Sequence, residues 1–256
     1  MTSTLRPAAA LVGLLLAWQA FCVLTEMPPF MLPAPTRVAE ALWLRWDIIL
    51  GHAGVTLSEI LLGLIFGTLA GCLMAVLLAA WPAGRRWLLP ILVISQAVPV
   101  FALAPLLTLW LGYGLGSKIV MAMLIIFFPV ASALYDGLRR TEPGWLDLAK
   151  TMGASSAAVL WRIRLPAALP ALASGLRVAA AFAPIGAVVG EWVGASSGLG
   201  YLMLHANGRS QTDLMFAALF VLAAMALALW FGLDALLRAA LPWQPDRLTD
   251  PEDSKK

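Results

Sequence analysis

Residues Ala53–Ala80 read AGVTLSEILLGLIFGTLAGCLMAVLLAA, a run of 28 residues in which Glu59 is the one charged side chain. At about 1.5 Å of rise per residue, such a helix is some 42 Å long, more than the roughly 30 Å hydrocarbon core of a bilayer. Within it Gly63, Gly67, Gly71, Ala75 and Ala79 recur every fourth residue. A stripe of small side chains lets a neighbouring backbone approach closely, where lipid removes the hydrophobic drive for helices to associate. The stretch therefore predicts a transmembrane helix with a packed face.

Five further stretches meet the same length test: Ala8–Leu24, Leu88–Leu111, Lys118–Leu138, Ala168–Val189 and Leu214–Leu237. Ala171, Gly175, Ala179, Ala183 and Ala187 repeat the four-residue small stripe in the fifth span. The whole chain of 256 residues is 61% hydrophobic and 12% charged, against roughly 25% charged in a soluble domain. That is too little charge to cover a water-soluble globule, so lipid solvates much of the surface. Cys22 and Cys72 both fall inside apolar runs and read as small hydrophobes. The first span, followed by Thr25-Glu26-Met27-Pro28-Pro29, reads as retained rather than cleaved. The expectation is an all-α membrane protein of about six spans. Residues 1–52 form the first span and its connection, 53–238 a core, and 239–256 a polar tail.

Basic residues set the expected orientation. With the N-terminus inside, the inner side holds Arg6, Arg85, Arg86, Arg139, Arg140, Lys150, Arg162, Arg164, Arg238, Arg247, Lys255 and Lys256. The outer side holds Arg37, Arg45, Lys118 and Arg209, with Arg177 inside a span. Both termini and the 139–166 loop are thus predicted in the cytoplasm. The net charge of +3 is no sign of a nucleic-acid partner.

That loop carries the functional signal. Pro143 suits the first turn of a helix through Leu148, Ala149 and Met152, and Gly153 supplies a left-handed stop. Ser155 or Ser156 caps a second short helix, expected to end at Pro166. Leu148 and Met152, one turn apart, form an apolar ridge that calls for a covering partner. Asp147-Leu148-Ala149, Gly153 and Ile163-Arg164-Leu165-Pro166 together resemble the "EAA loop" of binding-protein-dependent ABC importer permeases, with Asp in place of Glu and Leu in place of the first Ala.

The resemblance implies a small ABC-importer permease fold, a five-helix core with one added N-terminal helix. It makes Asp147, Leu148, Ala149, Met152, Gly153, Ile163, Leu165 and Pro166 the elements that couple to an ATPase. It implies a homodimer, two ATPase subunits that bind ATP and Mg, and a periplasmic or lipid-anchored substrate-binding protein. Leu32-Pro33-Ala34-Pro35-Thr36-Arg37-Val38 and Ser197-Gly198-Leu199-Gly200-Tyr201 are similar to segments of the nitrate, sulfonate and taurine permease group. Gln96-Ala97-Val98-Pro99, Leu109-Trp110-Leu111-Gly112-Tyr113-Gly114 and Gly190-Glu191-Trp192-Val193-Gly194-Ala195-Ser196 most resemble permeases for thiamine-pyrimidine precursors or riboflavin. No G-x-x-x-x-G-K-[ST] phosphate loop occurs in the chain, so a separate chain is expected to bind nucleotide.

Polar residues inside the spans are candidates for the translocation pathway: Glu59, Gln96, Pro99, Arg177 and Glu191. Each has a structural alternative. Arg177 either pairs, with Glu59 as the available acid, or snorkels, or touches substrate. Glu191 is expected either at the outer interface facing water or in a gate. The prolines of span three either kink the helix or break it beside a pathway. No catalytic or metal-ligating set of residues stands out. The rival function is an ATP-independent secondary transporter, for which midplane ion-coupling carboxylates beyond Glu59 and an inverted repeat would be needed.

Overall fold

A computed structural model describes residues 2–243. The polar tail beyond Trp243 lies outside the described residues. Eleven helices follow in order among them: α1 (Thr2–Leu24), α2 (Pro35–Leu44), α3 (Trp46–Ala80), α4 (Pro82–Ser95), α5 (Ala104–Leu111), α6 (Leu115–Arg139), α7 (Pro143–Thr151), α8 (Ser156–Val159), α9 (Leu165–Gly194), α10 (Leu199–Gly208) and α11 (Thr212–Ala240). The expected all-α membrane fold is what the chain adopts.

Four stretches are long and apolar enough to cross a membrane as unbroken helix: Trp46–Ala80, Leu115–Arg139, Ser156–Gly194 and Thr212–Ala240. The other two expected spans differ. In α1 the described apolar stretch is the shorter Val12–Leu24. Span three is not one helix: α4 ends at Ser95, and a 3-10 turn (Val100–Leu103) leads into α5. Pro99 sits at the break in extended backbone, with ψ 109°. A proline has no N–H to continue the helix and drives the residue before it out of the α region, so Gln96–Pro99 becomes a joint.

The core of the bundle is α6, held between α3 and α9. The small stripes do the work expected of them. A Cβ at Gly63 would lie 2.5 Å from that of Ala122, and one at Gly67 would lie 2.7 Å from Cγ2 of Ile126. On the other side, a Cβ at Gly175 would lie 2.6 Å from that of Ala133, and one at Gly186 would lie 2.7 Å from Cα of Ala122. Such approach maximises dispersion contact between helices whose other faces are in lipid. The three helices share a buried column, Ile60 with Ala122, Ile126, Val130, Ala179, Ala183 and Ala187. A second cluster, with Leu134, Leu138 and Ala168, seals the end near α7. A third, with Ile49, Leu199, Leu202 and Leu214, seals the end near α10.

One expected stop is absent. Pro166 does not end the second loop helix, because helix runs on from Ser156 to Gly194. Just before the proline, Leu160–Arg164 forms a π turn, closed by the Leu165 N–H on the Leu160 carbonyl. The wider turn opens the place where a proline ring would otherwise meet the carbonyl four residues back.

Candidate functional site

The loop joining α6 to α9 has the form its sequence predicts. Pro143 opens α7. Gly153 has φ +75°, and the turn is closed by Gly153 N–H to Lys150 O (2.9 Å) and Ala154 N–H to Ala149 O (2.9 Å). These bonds satisfy the helix's last carbonyls, which a left-handed residue permits. Ser155, not Ser156, is the cap of the next helix: its Oγ accepts from Ala158 N–H at 3.2 Å. Ala149 is buried and anchors α7, while Leu148 and Met152 are 62% and 77% exposed. Asp147 meets Lys150 at 3.1 Å on the surface. Ile163 and Leu165 are half-buried and Pro166 is exposed. The sequence-predicted loop residues thus form one unit, an apolar ridge raised on a rigid turn.

The far end of the bundle holds a cluster that the sequence showed only in part. Glu191 is not a water-facing interfacial acid; it is 1% exposed. Its Oε1 accepts from Thr56 Oγ1 at 2.6 Å, and its Oε2 accepts from the N–H groups of Gly200 (2.5 Å) and Tyr201 (3.2 Å). Thr56 Oγ1 also accepts from Leu199 N–H at 2.7 Å, and His52 Nδ1 accepts from Gly198 N–H at 3.0 Å. Four successive amides at the start of α10 are therefore held by three side chains, two from α3 and one from α9. Helix N-termini leave such amides without internal partners, and a carboxyl suits their positive end. Gly198 and Gly200 are small because the Glu191 carboxyl occupies the space where their Cβ atoms would be.

Glu59 lies beside Glu191, also 1% exposed, and its Oε2 has no hydrogen-bond partner among the described residues. Lys118 is buried, with Nζ donating to the carbonyls of Tyr113 and Gly194 at 2.6 Å each. It ties the α5–α6 turn to the end of α9.

Arg177 does not meet Glu59. Its Nε donates to Asp234 Oδ1 at 2.6 Å, and Arg238 Nε donates to Oδ2 of the same carboxylate at 2.9 Å. The five pathway candidates are thus scattered. Glu59 and Glu191 come together, Gln96 and Pro99 are exposed at the joint after α4, and Arg177 lies on the α9–α11 face. Sequence reasoning missed Thr56, Lys118 and Asp234. Asp234 was open to detection as a lone acid in an apolar run with Arg238 one turn on; Thr56 was not. No group of three or more potential metal ligands occurs among the described residues.

A family model for the binding-protein-dependent transport system inner membrane component matches residues 48–243. The chain belongs to this family. A probable ABC transporter permease protein of Haemophilus influenzae is 55% identical to it over 91% of this chain and 95% of the relative. The formylaminopyrimidine transport permease protein ThiX of Halalkalibacterium halodurans is 33% identical (94% and 96%). The riboflavin transport system permease protein RibX of Chloroflexus aurantiacus is 39% identical (91% and 88%). An inward-facing conformation of the MetNI methionine ABC transporter shares the fold, with TM-score 0.66 at 22% identity over 77% of this chain and 97% of that one. The chain is accordingly a membrane-embedded permease subunit of an ABC transporter.

Proposed function

We propose that this permease imports a small nitrogen-rich aromatic solute, a thiamine-pyrimidine precursor or a riboflavin-like molecule, delivered by a soluble binding protein. The names of the ThiX and RibX relatives support that class, as do the stretches at Gln96–Pro99 and Gly190–Ser196. Sulfonate, taurine or nitrate is the second choice. Two copies of the chain form the path, with both termini and the α7 loop in the cytoplasm, as the Lys and Arg bias suggests. Two ATPase subunits bind ATP and Mg and hydrolyse the nucleotide.

The observation that carries the coupling role is the exposed Leu148–Met152 ridge on a helix whose end is fixed by Gly153. Large apolar side chains raised on a solvent-side loop are a docking face. Asp147, Ala149, Ile163, Leu165 and Pro166 shape and support it. Closure of the ATPases on ATP then pulls this ridge and switches the dimer between inward-open and outward-open states.

Leu148→Glu with Met152→Glu places charge on the ridge without touching the core. The variant is expected to reach the membrane at wild-type abundance, and to lose both co-purification of the ATPase and uptake. Retained ATPase with normal uptake would show that the ridge is not the coupling face. Uptake measured with purified binding protein and labelled pyrimidine or flavin tests the solute class separately.

A further inference from the structure

Of the three side chains that hold the start of α10, His52 is the one whose bond depends on a missing proton. Its Nδ1 accepts from the Gly198 N–H at 3.0 Å. An imidazole that accepts at Nδ1 carries its single proton on Nε2 and is neutral; in the imidazolium both nitrogens are donors. A second proton would occupy the atom that Gly198 already uses. It would also set a positive charge against the positive end of a helix. Gly198 is fixed for this bond, with φ +112° and the Glu191 carboxyl where its Cβ would be. Its carbonyl accepts from the Leu202 N–H at 2.9 Å, the first turn of α10.

The surroundings offer a protonated His52 no partner. The ring is half-buried and lies 5.8 Å from the Tyr201 ring of α10, on which His205 is stacked at 4.4 Å. Glu191 of α9 faces the same amides but is taken by Thr56, Gly200 and Tyr201. Glu59, two turns along α3, lies beside Glu191, and Lys118 of α6 is engaged with two carbonyls. Asp47 on α3, Arg37 and Glu40 on α2, Arg209 after α10 and Asp213 on α11 make no ion pair with His52. Nor does any other charged group among the described residues.

We propose that protonation of His52 releases the start of α10 from α3. The Gly198 bond breaks, and with it the end of the bundle where Leu199 and Leu202 pack on Ile49 and Leu214 loosens. The docked state holds one proton fewer than the released state, so docking is strongest at high pH and weakens as pH falls. A released imidazole titrates at the ordinary histidine value of about 6.5. With the docked ring closed to the proton, the opening equilibrium at pH 5 exceeds that at pH 8 by up to about 30-fold. In the topology proposed above this end faces the outer medium, so the acid that acts on it is outside the cell. The response itself depends neither on that topology nor on the solute.

The chain has two histidines, which makes assignment by variants direct. The test is hydrogen exchange of the purified full-length chain in detergent at pH 8, 6.5 and 5, corrected for the intrinsic amide rate. Protection at residues 198–202 is expected to fall by up to about 30-fold from pH 8 to pH 5, while the centre of α6 stays protected. H52N keeps an acceptor in the place of Nδ1 and does not titrate, so it should hold wild-type protection at every pH. H205N should follow the wild type. Flat protection in the wild type, a loss that persists in H52N, or one that vanishes in H205N overturns the proposal. Where H52N is not recovered folded, imidazole nitrogen spectra of the wild type decide, with H205N for assignment. His52 is expected as the Nε2–H tautomer at pH 8 and as imidazolium at pH 5. An Nδ1–H tautomer at pH 8, or a ring still neutral at pH 5, overturns the proposal.

Discussion

Replacing Gly198 by alanine is expected to destabilise the protein far more than the same change at Gly153, although both glycines have positive φ. At Gly153, φ is +75° and nothing lies within 4 Å of an added Cβ. Only the left-handed conformation opposes the methyl, at roughly 1–2 kcal/mol. At Gly198, φ is +112° and ψ 161°, a region other residues hardly enter, with a cost of about 1–3 kcal/mol. The added Cβ also overlaps the Glu191 carboxyl, which must swing away and leave the N–H groups of Gly200 and Tyr201 without their acceptor. Each buried amide left unpaired costs about 1–3 kcal/mol.

The difference between the two variants is therefore about 2 kcal/mol or more. Denaturant titration of each purified chain in detergent, followed by tryptophan fluorescence, measures it. Hydrogen exchange at α10 should rise in G198A and stay at the wild-type level in G153A. Equal losses of stability, or an unchanged α10, would mean that the Glu191 contacts do not hold this helix.

Two other outcomes are expected. A cysteine at Ala157 should resist impermeant thiol reagents in intact cells and react in inverted vesicles; labelling in intact cells would reverse the proposed topology. Gly67→Leu should lower membrane abundance, because its Cβ would already lie 2.7 Å from Ile126, whereas Gly54→Leu, with open space around it, should be tolerated; equal abundance of the two would refute the close α3–α6 approach.

The bundle and the α7 loop were legible because each rests on local rules. Long apolar runs and four-residue small stripes determine which segments cross and which faces meet. Pro143, Gly153 and Ser155 determine a helix–turn–helix without help from the rest of the chain. Local rules misled where two of them competed. Pro166 was expected to stop a helix, but the π turn at Leu160–Arg164 absorbs it. Span three was long enough by composition, yet Pro99 interrupts it.

The charged residues were the least legible, for a geometric reason. Helix rise gives the depth of a side chain in the membrane, but not which neighbouring helix it faces. Glu59 and Arg177 were expected at similar depth, yet Glu59 lies beside Glu191, 14 residues along α9 from Arg177, about 21 Å, and α9 presents Arg177 to α11 and Glu191 to α3. Both the depth and the packing order of the helices separate those partners. Lys118 shows the same limit. Counting basic residues gave it a side of the membrane and no partner, whereas its side chain turns inward to the carbonyls of Tyr113 and Gly194. One unbroken helix, Ser156–Gly194, thus carries the loop unit at one end and Glu191 near the other. At about 1.5 Å per residue its 39 residues extend some 58 Å. A tilt that shifts the Leu148–Met152 ridge therefore also acts on the contacts that hold α10. That linkage lies in the order of helices around α6, which no single segment of the sequence encodes.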